Sequence, residues 1–435
     1  MNPLGPNALI AAIVLPFFYL AVYLDYAISR AQGRPDYGLN DTVASLGVSV
    51  MMSAFGVVSI VVRIAIYTLV YTHVALREWS TASPWTWVIG LLMYDFTYYW
   101  QHRMGHEWNL LWSSHVVHHS SDRFNLATAL RVPSASMHLW TWVFALPLAL
   151  AGIPPQVYAV ASLLNLLYQF WIHTERIGSL GWFDRWFGSP SNHRVHHGVN
   201  DRYLDKNYGG ILMLWDRMFG TFEDERADDP VRYGTRAPVK SWNPLWINLD
   251  TFWALCKDAW RARSWRDKLT IWWRAPGWRP ADLAAIDPKP AFELSRHRHF
   301  ETPTPAALGH YALLQTALLP AQLVHLIAIA AWLPFWPELA YASYLSVATV
   351  ALGLLLSPEQ RWRRLGLVLE VARLLLSAGV ALSGQWFGQL TLAGWAVWTL
   401  VVVALGSIAV LFLLAARSGV YGRDVHAAPT TGGAG

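Results

Sequence analysis

The chain has 435 residues, 54% of them hydrophobic and only 14% charged, with a mean hydropathy of +0.27, whereas ordinary soluble domains carry about 25% charged residues. This balance excludes a soluble globular protein, a disordered chain and a collagen, and the lone Cys256 excludes a disulfide scaffold. A net charge of +5 with no dense basic tract fits membrane orientation and attraction to anionic lipid, not nucleic-acid binding. The 26 Trp exceed both the 18 Tyr and the 17 Phe, which suits long membrane–water boundaries where an indole satisfies both its apolar body and its N–H.

Apolar blocks near twenty residues long can each cross roughly 30 Å of hydrocarbon as a helix. The first, 8–28, lacks a basic leader and a small-residue cleavage site before Arg30, so a retained span is expected rather than a signal peptide. The second, 43–74, exceeds what a bilayer needs and must tilt, bend or project. Blocks at 85–100, 136–151 and 156–172 follow, the last two separated by Gly152-Ile153-Pro154-Pro155, which no helix passes unbroken, so they read as a helical hairpin. Four more lie at 306–332, 340–356, 365–382 and 390–414. Arg361, Arg363 and Arg364 crowd one short connection while its neighbours carry no Lys or Arg, so that side is expected to be cytoplasmic. Alternating the nine spans places 102–132, 174–305 and the carboxyl terminus on the same side. The expected fold is therefore all-α, a polytopic membrane protein with about nine transmembrane helices and a cytoplasmic helical cap carrying a histidine-rich di-metal site.

Within 174–305, Trp246, Leu249, Trp253, Cys256 and Trp260 form a stripe at helical spacing, with Asp250, Lys257 and Arg261 off it. Such a helix lies flat on lipid headgroups or packs against the protein's own core. The tail after Arg417 is too polar and Gly-rich to fold alone.

Nine of the sixteen histidines are placed as chance does not readily place them. His102 and His106 stand at i, i+4; His115, His118 and His119 at i, i+3, i+4; His193, His196 and His197 repeat that triplet. On a helix each set shares a face. The eight imidazoles exceed the shell of one four-coordinate ion, so two metals are the economical reading. No Cys accompanies them, which argues against thiolate zinc and iron–sulfur sites, while imidazole suits Zn, Cu, Fe and Ni alike, so ligand type alone leaves the choice of metal open. The HExxH pattern fails because His106-Glu107-Trp108-Asn109 is followed by Leu110, and a b-type haem needs axial pairs rather than triplets. Paired non-haem iron is the best chemical fit. Asn165, Gln169 and His173 draw a polar line along an otherwise apolar helix, which makes His173 a ninth candidate ligand. Asp95, seven residues before His102, is a candidate acceptor for a ligand's ring N–H. Glu107 reads as a catalytic acid, a partner of a ligand or a helix-terminal charge; Arg103 and Arg194 read as phosphate holders or helix caps. The isolated His73, His138, His310 and His325 read as structural.

The three boxes, the run from Asp95 to His102, and the later segments from Asp205 to Gly210 and from Trp215 to Phe222 resemble the fatty acid hydroxylase/sterol desaturase superfamily over roughly residues 90–225. Within it, the runs from His119 to Arg131 and from Tyr168 to Glu175 are similar to the alkylglycerol monooxygenase branch, which the four further spans also fit. The resemblance implies a di-iron centre held by the eight box histidines, with Glu107 as a functionally important acid, O2 as co-substrate, and tetrahydrobiopterin or another external reductant. Asn192 departs from the branch, standing where it usually has an additional His. No cytochrome b5-like haem domain is read in the chain, so a separate electron donor is expected.

The expected domain division is 1–83, N-terminal transmembrane helices; 84–225, the hydroxylase unit; 226–305, a Trp-rich interfacial segment; 306–417, a four-helix transmembrane region; and 418–435, a disordered tail. The expected function is oxidation of the carbon beside the ether oxygen of an alkylglycerol drawn from the membrane, giving fatty aldehyde and a glycerol derivative. The alternatives are a sterol, carotenoid or fatty-acid hydroxylase or desaturase, and a metal-binding transporter or scaffold. The bacterial inner membrane, or the endoplasmic reticulum in a eukaryote, is the expected location.

Overall fold

Helices dominate the computed structural model, which describes residues 6–132, 141–387 and 390–417. The tail 418–435, His138 and the start of the 136–151 block lie outside the described residues. In chain order the helices are α1 (Pro6–Ala31), α2 (Leu39–Val74), α3 (Pro84–Glu107), α4 (Asn109–His119), α5 (Leu126–Ala129), α6 (Trp142–Leu150), α7 (Pro155–Trp171) and α8 (Pro190–His196). They continue as α9 (Leu214–Phe219), α10 (Pro244–Arg261), α11 (Trp265–Thr270), α12 (Ala281–Ile286), α13 (Ala306–Ile329), α14 (Phe335–Leu355), α15 (Gln360–Leu382) and α16 (Gly394–Arg417). A small antiparallel clip, β1 (Gln385–Trp386) and β2 (Leu390–Thr391), joins α15 to α16.

Among the described residues five helices are long and apolar enough to cross a membrane: α1 over Ile13–Ala31, α13, α14, α15, and α16 over Gly394–Leu414. They give the chain the character of an integral membrane protein. The long second block is one continuous helix of 36 residues, roughly 54 Å at 1.5 Å per residue. This α2 packs along α13 and α14 and reaches α6 and α10. The largest apolar core lies there, with Leu46, Val48, Val50, Leu319, Leu345 and Leu352 buried in it. The break at 152–155 is real: Gly152 turns the chain at φ +85°, and a Cβ there would stand 1.5 Å from the Arg77 carbonyl oxygen. Both α6 and α7 pack on α3.

One polar network lies inside the C-terminal helices. Arg373 pairs with Glu370 at 2.5 Å and donates to the Gln315 side chain at 2.7 Å, and Tyr311 donates to Glu370 at 2.8 Å. Glu370 is fully buried, a placement tolerable in an apolar bundle only because each of these charges has a partner.

The stripe on α10 faces outward. Ile247, Asn248, Leu255 and Asp258 are buried, whereas Trp246, Leu249, Trp253 and Trp260 are exposed. Of the two readings of the stripe, packing against the protein's own core is therefore the one the structure overturns.

Candidate metal centre

The buried face of α3 carries Gly90, Asp95, Tyr99, His102 and His106, so the first two box histidines emerge at its inner end. Trp108, in extended conformation, turns the chain directly into α4, which presents His115, His118 and His119. Successive residues of a helix point about 100° apart, which is how His118 and His119 can serve different neighbours. The third box rides on α8, a helix of seven residues begun by Pro190 at its first position and by the Ser189 hydroxyl, which accepts the Asn192 N–H at 3.3 Å. Asn192 itself donates to the carbonyls of Asp184 and Phe187 at 2.7 and 3.1 Å, anchoring the helix. His173 lies just beyond the end of α7, at the foot of the Asn165–Gln169 line.

These nine histidines converge in two groups. His102, His106, His115, His119 and His196 form one; His118, His173, His193 and His197 form the other, with ligand atoms in each within 4.8 Å of one another. Both α4 and the α8 turn contribute to both groups. All nine side chains are buried.

Tautomers follow from the partners. The Nδ1–H groups of His102, His118, His173 and His196 are donated to the backbone carbonyls of Tyr208, Arg131, Gln169 and Lys206 at 2.8, 3.2, 2.8 and 3.0 Å. Each Nε2 of these four is then a bare lone pair. Yet His118 Nε2 lies 3.2 Å from His173 Nε2, a distance at which two lone pairs repel and no hydrogen bond can form. Other Nε2 pairs close to similar distances: His102–His115 at 3.0 Å, His119–His196 at 3.1 Å and His173–His193 at 2.9 Å. Two nitrogens bound about 2.1 Å from one cation stand roughly 3.0–3.4 Å apart for right-angle to tetrahedral geometry. The spacing and the donor set thus fit bound metal ions. His106 Nε2 is buried with no hydrogen-bond partner among the described residues, again as a metal-directed nitrogen would be.

Electrostatics point the same way. Burial, reinforced by neighbouring imidazoles, pushes His102 down to about 3, and burial pushes His173 down to about 4. His115, His118, His119, His193, His196 and His197 are held well below the usual range by the same causes, burial first. Neutral imidazoles at physiological pH are the form a metal needs. Aromatic walls close the groups off: Phe124 stacks on His173 at 5.5 Å and is backed by Tyr233 at 5.1 Å, while Trp112 lies 5.1 Å from His106.

Asp95 departs from expectation. Its carboxylate accepts the Ile211 and Leu212 backbone N–H groups at 2.8 and 3.2 Å and the Trp215 indole N–H at 2.8 Å, not an imidazole. The His102 ring N–H is already taken by the Tyr208 carbonyl, so Asp95 acts by tying α3 to the 208–215 segment. That segment fits closely: a Cβ at Gly210 would lie 2.4 Å from Asn165 Nδ2 and 3.2 Å from Asp95 Oδ1. The carboxylate that does face a ring is Asp205, with Oδ1 3.5 Å from His106 Nδ1. Glu107 is engaged by Arg103 Nε at 2.7 Å. Arg194 is held by Glu225 and by the carbonyls of Thr174 and Ile177, so it is not available to a lipid phosphate. His73 and His310 are exposed, and His325 meets the Tyr341 hydroxyl, away from both groups. Asp205, Tyr208 and Asp216 were not singled out by spacing, although the Asp205–Gly210 and Trp215–Phe222 segments contain them.

Comparison with known proteins agrees with this geometry. The family model for fatty acid hydroxylase matches residues 87–221, the stretch that contains all nine clustered histidines. The alkylglycerol monooxygenase of Xenopus tropicalis is 34% identical over 361 residues, covering 83% of this chain and 79% of that protein. The human alkylglycerol monooxygenase is 39% identical over 267 residues, 61% of this chain and 59% of its own length. An ornithine lipid hydroxylase of Rhizobium tropici is 32% identical over 141 residues, 32% of this chain and 41% of that protein. No solved structure matches the chain. A histidine-lined centre and likeness to a full-length relative lead to one conclusion: the chain belongs to the alkylglycerol monooxygenase family, within the fatty acid hydroxylases.

Proposed function

We propose that this lipid monooxygenase holds two iron ions and oxidises the carbon beside the ether oxygen of an alkylglycerol lipid. The observation that carries the reading is the division of nine buried imidazoles into two adjoining groups of five and four. Bound iron would supply the reduction of O2 and the oxidising power for an unactivated C–H bond. In the balanced reaction one oxygen atom enters that carbon, the other leaves as water with two electrons and two protons from an external reductant, and the hemiacetal collapses to fatty aldehyde and a glycerol derivative.

The chain's own residues bind, orient and exclude water. The nine histidines, His102, His106, His115, His118, His119, His173, His193, His196 and His197, act as neutral donors. The carbonyls of Tyr208, Arg131, Gln169 and Lys206 fix ring orientation and raise donor strength. Phe124 and Trp112 keep bulk water from the metals, so that an alkyl chain held against them meets the oxidant in one register. Asp95 and Asp216 position the 208–216 segment, and Glu107 is proposed as an acid at its edge. The reductant is proposed to be a tetrahydropterin. The nine spans, the domain division given above and a cytoplasmic centre are part of the same proposal.

The test is product mass spectrometry after incubation with a 1-O-alkylglycerol, with and without tetrahydropterin. Fatty aldehyde that depends on both is expected; its absence under every reductant overturns the ether reading. The match to an ornithine lipid hydroxylase favours a second reading, hydroxylation of another polar lipid by the same centre, which would show as a stable hydroxylated product.

A further inference from the structure

A cavity of about 320 Å³ lies beside the histidine groups, and neither the family resemblance nor the metal site assigns it a role. Its wall is assembled from the end of α1 at Arg30, the start of α2 at Gly38–Asp41, the loop after α4, the 238–242 segment and the start of α13. Since α1 and α13 are candidate membrane spans, their ends mark the level of the lipid headgroups.

The cavity's lining carries more positive than negative charge, with Arg30, Arg123, Arg131 and Lys240 against Asp41, Asp122 and Glu301, although Arg131 itself donates to the Ser120 hydroxyl at 3.2 Å and faces Asp41. Arg131 lines it at 2% exposure, and its Nε is buried with no hydrogen-bond partner among the described residues. Arg30 and Lys240, exposed on the rim, have no ion-pair partner among the described residues. Lys240 is also held at φ +50°, a left-handed conformation unusual for a lysine. The acids facing the same space are engaged. Asp41 accepts the Ser121 hydroxyl at 2.8 Å and stands 3.6 Å from Arg131. Asp122 accepts the Phe300 backbone N–H at 2.6 Å, and Glu301 pairs with Arg123 at 2.5 Å. An orphaned guanidinium N–H behind two free cations asks for an anionic oxygen.

We propose that this cavity seats an anionic, phosphate-bearing lipid headgroup, with Arg131 at its floor and Arg30 and Lys240 at its rim. Arg131 couples the seat to the centre, because its own carbonyl takes the His118 Nδ1–H at 3.2 Å while its guanidinium looks into the cavity. The headgroup is thereby anchored one residue away from a candidate metal ligand, where the ether-bearing end of the lipid has to lie. This rests on the proposed ether-lipid function for its purpose, though its test does not.

The full chain in detergent is titrated calorimetrically with a 1-O-alkylglycerol 3-phosphate, the neutral 1-O-alkylglycerol of the same chain length, and inorganic phosphate. The phosphorylated lipid should bind at least tenfold more tightly than the neutral one, and inorganic phosphate far more weakly than either. Arg131→Gln should abolish that preference, and the exposed pair Arg30→Gln with Lys240→Asn should reduce it several-fold while leaving the neutral lipid's affinity in place. The rim variant keeps the test decisive where the buried substitution fails to fold. Equal affinity for the two lipids, or a preference untouched by the rim variant, overturns the proposal; inorganic phosphate binding as tightly as the phosphorylated lipid makes it a free-anion site and overturns it also. Failure to oxidise any ether lipid would sink the proposed function and leave this binding result standing.

Discussion

Asp216 receives the backbone N–H groups of Tyr208 and Gly209 at 2.8 and 2.7 Å, and in doing so aims the Tyr208 carbonyl at His102. The orientation of the His102 ring is thus set by a carboxylate that touches no histidine. Asp216→Asn places an amide N–H against one of those donors. Iron retention should weaken by about 10–100-fold, as for other partners of metal-bound imidazoles, with helical content unchanged. Competition with a chelator measures it, and an unaltered affinity would show that the carbonyl does not need the clamp.

Acid should unfold the metal-free protein early. Eight of the clustered histidines are held below their usual range, chiefly by burial. In the unfolded chain they take protons near pH 6.5, while the folded chain resists until about 4 or lower, so the unfolded state binds more protons in that window. Stability is therefore complete above about pH 6.5 and falls as pH drops through it, by up to about 1.4 kcal/mol per pH unit for each such histidine. Thermal midpoints of chelator-stripped protein at pH 7.5 and 5.5 should differ steeply; equal midpoints would mean that the rings are not held neutral.

The Glu370–Arg373 pair should be fragile in one direction only. Glu370→Met alone leaves the Arg373 charge uncompensated among α13, α15 and α16, at a cost of about 3–5 kcal/mol. The double substitution Glu370→Met with Arg373→Met should recover most of that loss. Thermal unfolding in detergent compares them, and a double variant worse than the single would mean that the charges contribute through something other than each other.

Trp253 and Trp260, 53% and 85% exposed on α10, should report a shallow depth in the bilayer. Brominated lipids labelled near the headgroup should quench the native protein more than the Trp253→Ser, Trp260→Ser variant. Identical quenching of both proteins would place the stripe in water.

The histidine boxes were readable because metal binding demands particular residue types at helical spacing, and the five helices long and apolar enough to cross a membrane were readable because hydrocarbon demands length. Four of the acceptors that fix the rings were not, since Tyr208, Arg131, Gln169 and Lys206 act through carbonyls that every residue type possesses. Asp95 shared a helix stripe with His102 and His106, which suggested direct contact, but the 208–215 segment folds back and claims its oxygens. The split into five and four follows from the angle between neighbouring residues on α4, which spacing alone leaves open. The cavity draws its wall from residues between 30 and 309, a proximity that only the tertiary fold creates.

Because α4 and the α8 turn each reach into both histidine groups, the two groups are not independent compartments. If two ions bind as proposed, occupying one group would stiffen the two short helices that also frame the other, so the second ion would arrive at a place already arranged for it. Loading should then proceed by doublets, with singly charged intermediates scarce, and a cell short of iron would hold a mixture of full and empty molecules in preference to a uniform population of half-equipped ones.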